Sequence, residues 1–228
     1  MGITQQIGAS SLIKPGVIDN TAARPASPYE GQVIFQKDTD QLLVWNGTAW
    51  VIPNAPAQNP MGLEYITGGT QSGSAALNQD GVFTSTYLNY RLVLTAVQQS
   101  VANNAVRFNF RSGGTTNANN TYEYAYRGLR TNGVGGDTST ATTFAEIGIY
   151  MATYANTLLG SAAIDIQGPQ AAQTSFGLVN AIGYEGGVYQ MRNGGFVYND
   201  LTSFDGFRIS LSGSGNIAFE WQLYGYRK

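Results

Sequence analysis

Acid–base chemistry in this 228-residue chain rests on its 14 carboxylates, because the sequence contains no histidine and no cysteine. Without imidazole or thiolate, the common zinc sites and the Ser-His and Cys-His nucleophile pairs are excluded. A disulfide framework is excluded as well. A glycosidase needs two carboxyl groups roughly 5–10 Å apart across a sugar, and Glu123, Asp165, Glu185 and Glu220 are the strand-borne candidates for such a pair. A solvent-facing strand carboxylate is the more ordinary reading of each, so a non-enzymatic protein is expected. Asp38-Thr39-Asp40 opens like a calcium loop but lacks the glycine and distal glutamate of that cage. These aspartates are expected to be turn formers capping backbone N–H groups. Gly213, Gly215 and Ala218 match a loose dinucleotide fingerprint, yet a strand follows, leaving no helix N-terminus for a pyrophosphate. Asn46-Gly47-Thr48 and Asn119-Asn120-Thr121 are glycosylation sequons by letter only. No catalytic residue, metal or cofactor is expected.

The 12 basic residues are scattered singly and the formal net charge is −2, so there is no electrostatic footprint for nucleic acid. No stretch approaches the ~18 apolar residues of a membrane span, and the N-terminus lacks the basic and apolar regions of a signal peptide. Gln6 stands where a myristoylation signal requires Ser or Thr. Neither nucleic-acid binding nor membrane insertion is expected. Charged residues are 11% of the chain against a usual value near 25%, whereas Gly (29) and Tyr (14) are abundant. Solvent-facing positions must therefore be largely polar and uncharged.

The elements that would position these side chains are β-strands. Residues 1–23 carry Ile3, Ile7, Leu12, Ile13, Val17 and Ile18 among Gly, Ser and Pro15 without periodicity, which reads as an arm that binds another surface. Residues 24–52 form a small hairpin or meander: an extended entry at Arg24 and Pro25, the strand VIFQ, a turn at 37–40, the strand QLLVW, and a return over 48–51. Asn46-Gly47 predicts a type I′ turn, since both residues tolerate positive φ. Residues 53–60 read as a proline-rich linker.

From residue 61 to 228 the text becomes alternating apolar and polar. Val106, Phe108 and Phe110 alternate with Arg107, Asn109 and Arg111; Tyr122, Tyr124 and Tyr126 share a face; Ile217, Phe219, Trp221 and Leu223 oppose Ala218, Glu220 and Gln222. Period two means one buried face per strand. The expected class is all-β, with about eight to ten strands in an antiparallel sandwich of jelly-roll or Greek-key type. The tyrosine stripe is expected in the core or at a subunit interface. Residues 112–120 and 132–140 are predicted loops; Thr115, Asn117, Asn119, Asn132 and Asp137 are their candidate contact residues.

The run ARPASPYEGQVIFQKDTDQLLVWNGTAWV resembles a short module of tailed-bacteriophage virion proteins. Arg24, Pro25, Pro28, Gly31, Gln32, Asp38, Thr39, Trp45, Asn46, Gly47 and Trp50 carry the likeness. The N-terminal MGITQQIGASSLIKPGV is similar to structural proteins from phages of aquatic bacteria. Leu223, Tyr224 and Gly225 match the LYG ending of phage fibre domains, although Phe219 and Glu220 stand where a small residue is usual. The resemblance implies a virion structural protein, a homotrimeric tail fibre or knob whose loops meet a host surface glycan or protein. It equally admits a capsid decoration protein or head fibre. It further implies that residues 1–23 attach to another phage structural protein, and that Phe35, Leu43, Trp45, Asn46, Gly47 and Trp50 form a trimeric hairpin interface.

Overall fold

The computed structural model describes residues 15–53, 62–130, 133–150, 159–185 and 187–227. The chain divides into two compact units, Met1–Pro60 and Met61–Lys228.

The described part of the first unit is a four-stranded sheet in the order β1-β2-β3-β4, made of β1 (Gly16–Ile18), β2 (Val33–Gln36), β3 (Gln41–Trp45) and β4 (Trp50–Val51). β1 runs parallel to β2 and the other pairs are antiparallel. Val17 and Ile18 thus belong to the sheet, and the boundary expected after residue 23 moves upstream of Gly16. The physical reason is ladder pairing: an apolar Gly-Val-Ile segment satisfies its backbone against the open edge of β2. Between β1 and β2 a 3-10 turn, Thr21–Ala23, is capped by Asn20, whose side chain accepts from the N–H groups of Ala22 and Ala23.

The expected type I′ turn is not formed. Register pairs Trp45 with Trp50, leaving a four-residue loop in which Asn46 Oδ1 accepts from the Thr48 and Ala49 N–H groups. Gly47 has a φ of +92°, and Asn46 is not among the positive-φ residues. The asparagine side chain closes the turn itself, an Asx-type solution. Nor do the aspartates of the preceding turn cap backbone as expected. Asp38 Oδ1 accepts from the Gln36 side-chain amide at 2.7 Å, and Asp40 takes up a φ of +54°.

The second unit is a two-layer β-sandwich. Its strands are β5 (Leu63–Ser74), β6 (Ala76–Gln79), β7 (Asn89–Gln99), β8 (Ala105–Ser112), β9 (Thr115–Thr116), β10 (Tyr122–Arg130), β11 (Gly133–Thr142), β12 (Ala145–Tyr150), β13 (Gly160–Gln167), β14 (Ser175–Glu185), β15 (Val188–Tyr198), β16 (Gly206–Leu211) and β17 (Ile217–Tyr226). One sheet has the order β11-β10-β15-β14-β13-β7-β17-β5; the other runs β12-β8-β16-β6, with β9 beside β8. The chain changes sheets between β5 and β6, β6 and β7, β7 and β8, β9 and β10, β11 and β12, β12 and β13, β15 and β16, and β16 and β17. With β13-β7-β17-β5 facing β12-β8-β16-β6, this is the strand order of a jelly roll. The hairpins β10–β11 and β14–β15 are insertions that double the width of the first sheet.

Several strands escaped the alternation pattern. β5 and β11 are rich in Gly, Thr and Ser, and the two short predicted strands GGVYQMR and GFVYN are one strand, β15, running through Gly194 and Gly195. Most of residues 132–140, expected as a loop, belong to the edge strand β11. The glycines permit this: a Cβ at Gly136 would lie 2.6 Å from the Tyr126 carbonyl oxygen, so only glycine lets β11 approach β10 there.

The period-two faces meet in an aromatic core. Phe110 stacks on Phe204 at 4.5 Å, Phe108 on Phe196 at 4.9 Å, and Phe207 meets Trp221 edge-on at 5.7 Å. Tyr122, Tyr124 and Tyr126 point into this interior. Burial of each such ring is worth roughly 1.5–3 kcal/mol, with a further ~0.5–1.5 kcal/mol from favourable ring geometry. At the end of the last strand Gly225 is obligatory for space, since a Cβ there would sit 2.4 Å from the Tyr87 ring.

Candidate functional site

The strand-borne carboxylates do not converge. Glu123 and Asp165 lie on the outer face of the larger sheet, on β10 and β13, with β15 and β14 between them. Three inter-strand spacings put their backbones ~14 Å apart, too far for a glycosidase pair. Asp165 is consumed by an ion pair with Arg91, Nε to Oδ1 3.1 Å, and by the Tyr226 hydroxyl at 2.6 Å. Glu220 lies two strands and several residues away from it. Glu185, at the β14–β15 turn, pairs with the buried Arg192 at 2.9 Å and with Arg130 at 3.7 Å. Among the described residues no cluster of three or more Asp and Glu stands ready for a metal ion.

Sequence reasoning missed one charged cluster inside the sandwich. Arg192, 4% exposed, lies between the rings of Tyr126 and Tyr150, its guanidinium 5.0 and 4.6 Å from their centroids. The Tyr150 hydroxyl donates to Glu146 Oε2 at 3.0 Å, and Arg107 stands 3.9 Å from Glu146 while lying 3.4 Å over the Phe144 ring. Burial raises the Glu146 carboxyl above the ordinary glutamate range despite the opposing effects of Tyr150 and Arg107. Burial likewise pushes the Tyr124 hydroxyl up to about 12. Every charge has an opposite partner or an aromatic face, and the cluster fills the interlayer space, so it serves cohesion between β10, β12 and β15. The signal in sequence was the Arg107/Glu146/Arg192 set on strands otherwise apolar inward, but nothing in spacing links three distant strands.

The predicted contact loops are built differently from free loops. Thr115 and Thr116 form β9, and Arg111 pins the segment: its guanidinium holds Asp80 at 2.7 and 3.0 Å, Thr116 Oγ1 at 2.8 Å and the Gly114 carbonyl. Asn117 donates its N–H to the Phe110 carbonyl, its own carbonyl accepts from Asn109, and its side chain accepts from the Asn119 N–H. Asp137 is an exposed residue of β11 opposite Tyr126. Asn132 lies outside the described residues, as do Ile3, Ile7, Leu12 and Ile13.

The set expected at the hairpin interface is split between two faces of the small sheet. Ile34 and Leu43 pair across β2 and β3 and are 2% and 3% exposed. Beside them Gln36 is fully buried and fully satisfied: it accepts from Arg24 Nε at 2.8 Å and donates to Thr21 Oγ1 and Asp38 Oδ1. Trp45 and Trp50 continue this covered face as a cross-strand, edge-on pair at 5.6 Å. Leu43 therefore needs no second chain to be buried, a correction to the expected interface. Asn46 and Gly47 serve the turn and are exposed. Phe35 lies on the opposite face, in the register row Val17–Phe35–Leu42, next to a second row Val33–Val44–Val51. These six positions are all apolar, and Val17, Leu42 and Val51 are 60%, 41% and 38% exposed.

The second apolar surface is the outer face of the larger sheet. Antiparallel sheets with one solvated face ordinarily read polar outward, yet Phe176, Leu178, Leu129, Met191 and Val134 point outward and are exposed. Between β14, β15, β10 and β11 this face sinks into an open groove of about 380 Å³, lined by Phe176, Leu178, Val197, Ala125 and Gly195 with Glu123 and Thr138 at its rim. No protein-family model matches the chain, and no curated protein is detectably similar to it.

Proposed function

We propose that this chain is a non-enzymatic structural component of a phage virion, a trimeric tail fibre or knob whose sandwich domain contacts the host surface. One observation carries the reading: the small N-terminal sheet buries one face with its own chain, and its other face is an apolar lattice of exposed Val17, Leu42 and Val51 and half-buried Val33, Phe35 and Val44. A unit with so small a core is marginal alone and is completed by association. Three copies around a threefold axis supply the missing layer. The same sequence bears the residues of the phage module resemblance, Gly31, Gln32, Asp38, Thr39, Trp45 and Trp50. Pairing of charges within the sandwich fits a passive, recognition-bearing head better than a reaction centre.

In this reading residues 1–15 attach to another virion protein through Ile3, Ile7, Leu12 and Ile13. Multivalent presentation lets three weak head contacts act as one strong one. The second reading, a capsid decoration protein or head fibre, is favoured by the pinning of Thr115–Thr116 and Asn117, which removes the adaptability of a receptor loop. Gold-labelled antibody against residues 61–228, applied to intact particles and viewed by electron microscopy, separates them. Label at the tail tip is expected; label over the capsid selects decoration, and particles without the protein refute both.

A further inference from the structure

We propose that the groove over β10, β15 and β14, on the outer face of the larger sheet, binds a neutral glycan. One sugar face lies against Phe176, and the hydroxyls are taken by Glu123 and by the polar row of Arg127, Asn193 and Asn180. This rests on the host-contact reading above and places that contact on a sheet face instead of a loop.

Three outward rows build the patch. The middle row runs Thr138, Ala125, Gly195 and Leu178 across β11, β10, β15 and β14. Its centre carries one methyl group and then no side chain, so the surface hollows there into the open groove of about 380 Å³, a volume within the range of small-molecule sites. On one side stands the row Glu123, Val197 and Phe176. The Phe176 ring is 43% exposed. It lies two inter-strand spacings from Glu123, ~10 Å between backbones. On the other side stands the row Gly136, Arg127, Asn193 and Asn180. The sheet edge adds hydroxyls. Pairing of β10 with β11 slips between Tyr122 and Tyr124, which sets Thr140 and Ala141 against the single Glu123, with Ala141 at a φ of +53°. A bulge of this kind re-aims a side chain, and Thr140 joins Thr138 and Ser139 along the groove.

The polar groups of the patch are uncommitted. Glu123 and Arg127 are exposed, and neither makes an ion pair or a hydrogen bond to another described residue. The next charges along the middle row, Asp165 and Arg91, are by contrast consumed by each other. Glu123 and Arg127 stand four residues apart on one strand, ~13 Å between backbones, and their opposite charges leave the patch without net charge. Asn193 donates one amide N–H to Asn180 Oδ1, which leaves the Asn193 oxygen and the Asn180 amide nitrogen for a ligand. Donors and acceptors thus surround an apolar floor. An anion is repelled by Glu123 and a cation by Arg127. A sugar ring satisfies the whole set, because its C–H face covers Phe176 or Leu178 while each hydroxyl both donates and accepts. A peptide added as a strand needs open backbone groups, but β10, β15 and β14 each have a neighbour on both sides. The ligand therefore meets side chains alone and lies flat on the sheet. Contact at one such groove is weak, and several copies on one particle make it firm.

The fluorescently labelled full chain is applied to immobilised di- and trisaccharides of three kinds: neutral sugars built of hexoses and N-acetylhexosamines, sugars with a carboxylate, and sugars with a free amine. Retention on a subset of the neutral sugars is expected. Retention only on the acidic or only on the amino sugars, or on none, overturns the proposal. The retained sugar is then titrated into protein with ¹³C-labelled methyl groups. The Ala125, Leu178 and Val197 signals are expected to shift, and shifts confined to methyl groups outside the groove refute this site. Phe176→Ala and Glu123→Gln, both at exposed positions, should each weaken binding about tenfold with far-UV circular dichroism unchanged. Tyr65→Ala, an exposed aromatic at the far end of the same sheet, should leave binding intact; an equal loss there means the aromatic contact is non-specific and overturns the site. The immunogold experiment keeps the two proposals apart. Label at the tail tip with no sugar retained refutes the groove and leaves the virion reading standing, whereas a retained sugar with no protein on particles does the reverse.

Discussion

The two units solve the same problem, how to bury one face of a sheet, with opposite economies. The sandwich closes on itself: two sheets press Phe108, Phe110, Phe196, Phe204 and Phe207 into a shared interior and need nothing further. The small sheet has one thin layer of its own, Ile34 and Leu43 under a turn held by Gln36 hydrogen bonds, and a second face with no cover among the described residues. Self-sufficiency therefore tracks the number of packed layers rather than local pattern, since both units read as equally regular strands. A single sheet of short strands is marginal by itself, and the part that lacks a layer is where association is to be sought.

The largest effect expected from breaking this contrast is in the sandwich. Phe110→Ala removes a ring contacting Phe83, Phe108, Tyr122, Phe196, Tyr198 and Phe204. It should cost about 3–5 kcal/mol, read as a lower urea midpoint of the large unit. The comparison fails if Phe35→Ala, on the open face of the small sheet, destabilises the chain as much at concentrations where it is monomeric.

Next comes the charged cluster. Arg192→Ala leaves Glu185 with the more distant Arg130 and removes the cation between Tyr126 and Tyr150. A loss of about 2–4 kcal/mol is expected, below a fully buried pair because Glu185 is partly exposed. Arg192→Met, which keeps the packing, should recover part of it in the same denaturation series.

A pH series sharpens the comparison further. Burial raises the Glu146 carboxyl in the folded protein, so the native state holds this proton where the unfolded chain, at about 4.3, has released it. Its contribution is full below that unfolded value and is lost as pH rises through the raised folded one. Glu146→Gln should therefore gain stability relative to wild type as pH climbs from 4 to 8. A relative loss over that range would mean the Arg107 pairing outweighs burial. The smallest effect belongs to the small sheet: Asn46→Ala removes two side-chain hydrogen bonds to the Thr48 and Ala49 N–H groups. It should cost about 1 kcal/mol, confined to the melting of residues 15–53 as followed by hydrogen exchange.

Residue type and period two sufficed for the all-β class, for the inward stripe Ile217, Phe219, Trp221 and Leu223, and for the hairpin strands VIFQ and QLLVW, because alternation is a local property of a half-buried strand. The same reasoning lost β5 and β11, whose glycines and threonines carry no alternation, and took residues 132–140 for a loop because glycine is the usual punctuation of turns. At Gly136 glycine instead marks close approach of two strands, which depends on what lies opposite. The candidate site was legible only in part. Phe35 was singled out, but its separation from Leu43 onto the opposite face follows from the β2–β3 register, which pairs Leu43 with Ile34 and Phe35 with Leu42, and Val17 joins its row through a pairing with β1 that the aperiodic run before residue 24 did not announce. The Arg192 cluster brings together strands from Arg107 to Arg192, and the outer face of the larger sheet joins residues as far apart in sequence as Leu178 and Tyr65. Their side chains look ordinary strand by strand. What the sequence determined by itself is the strands' two-faced character, through side-chain alternation on an extended backbone. Which faces are closed, which charges neutralise each other and which apolar rows are left facing outward were decided by the order in which the strands pair, and that order is set by contacts no local window contains.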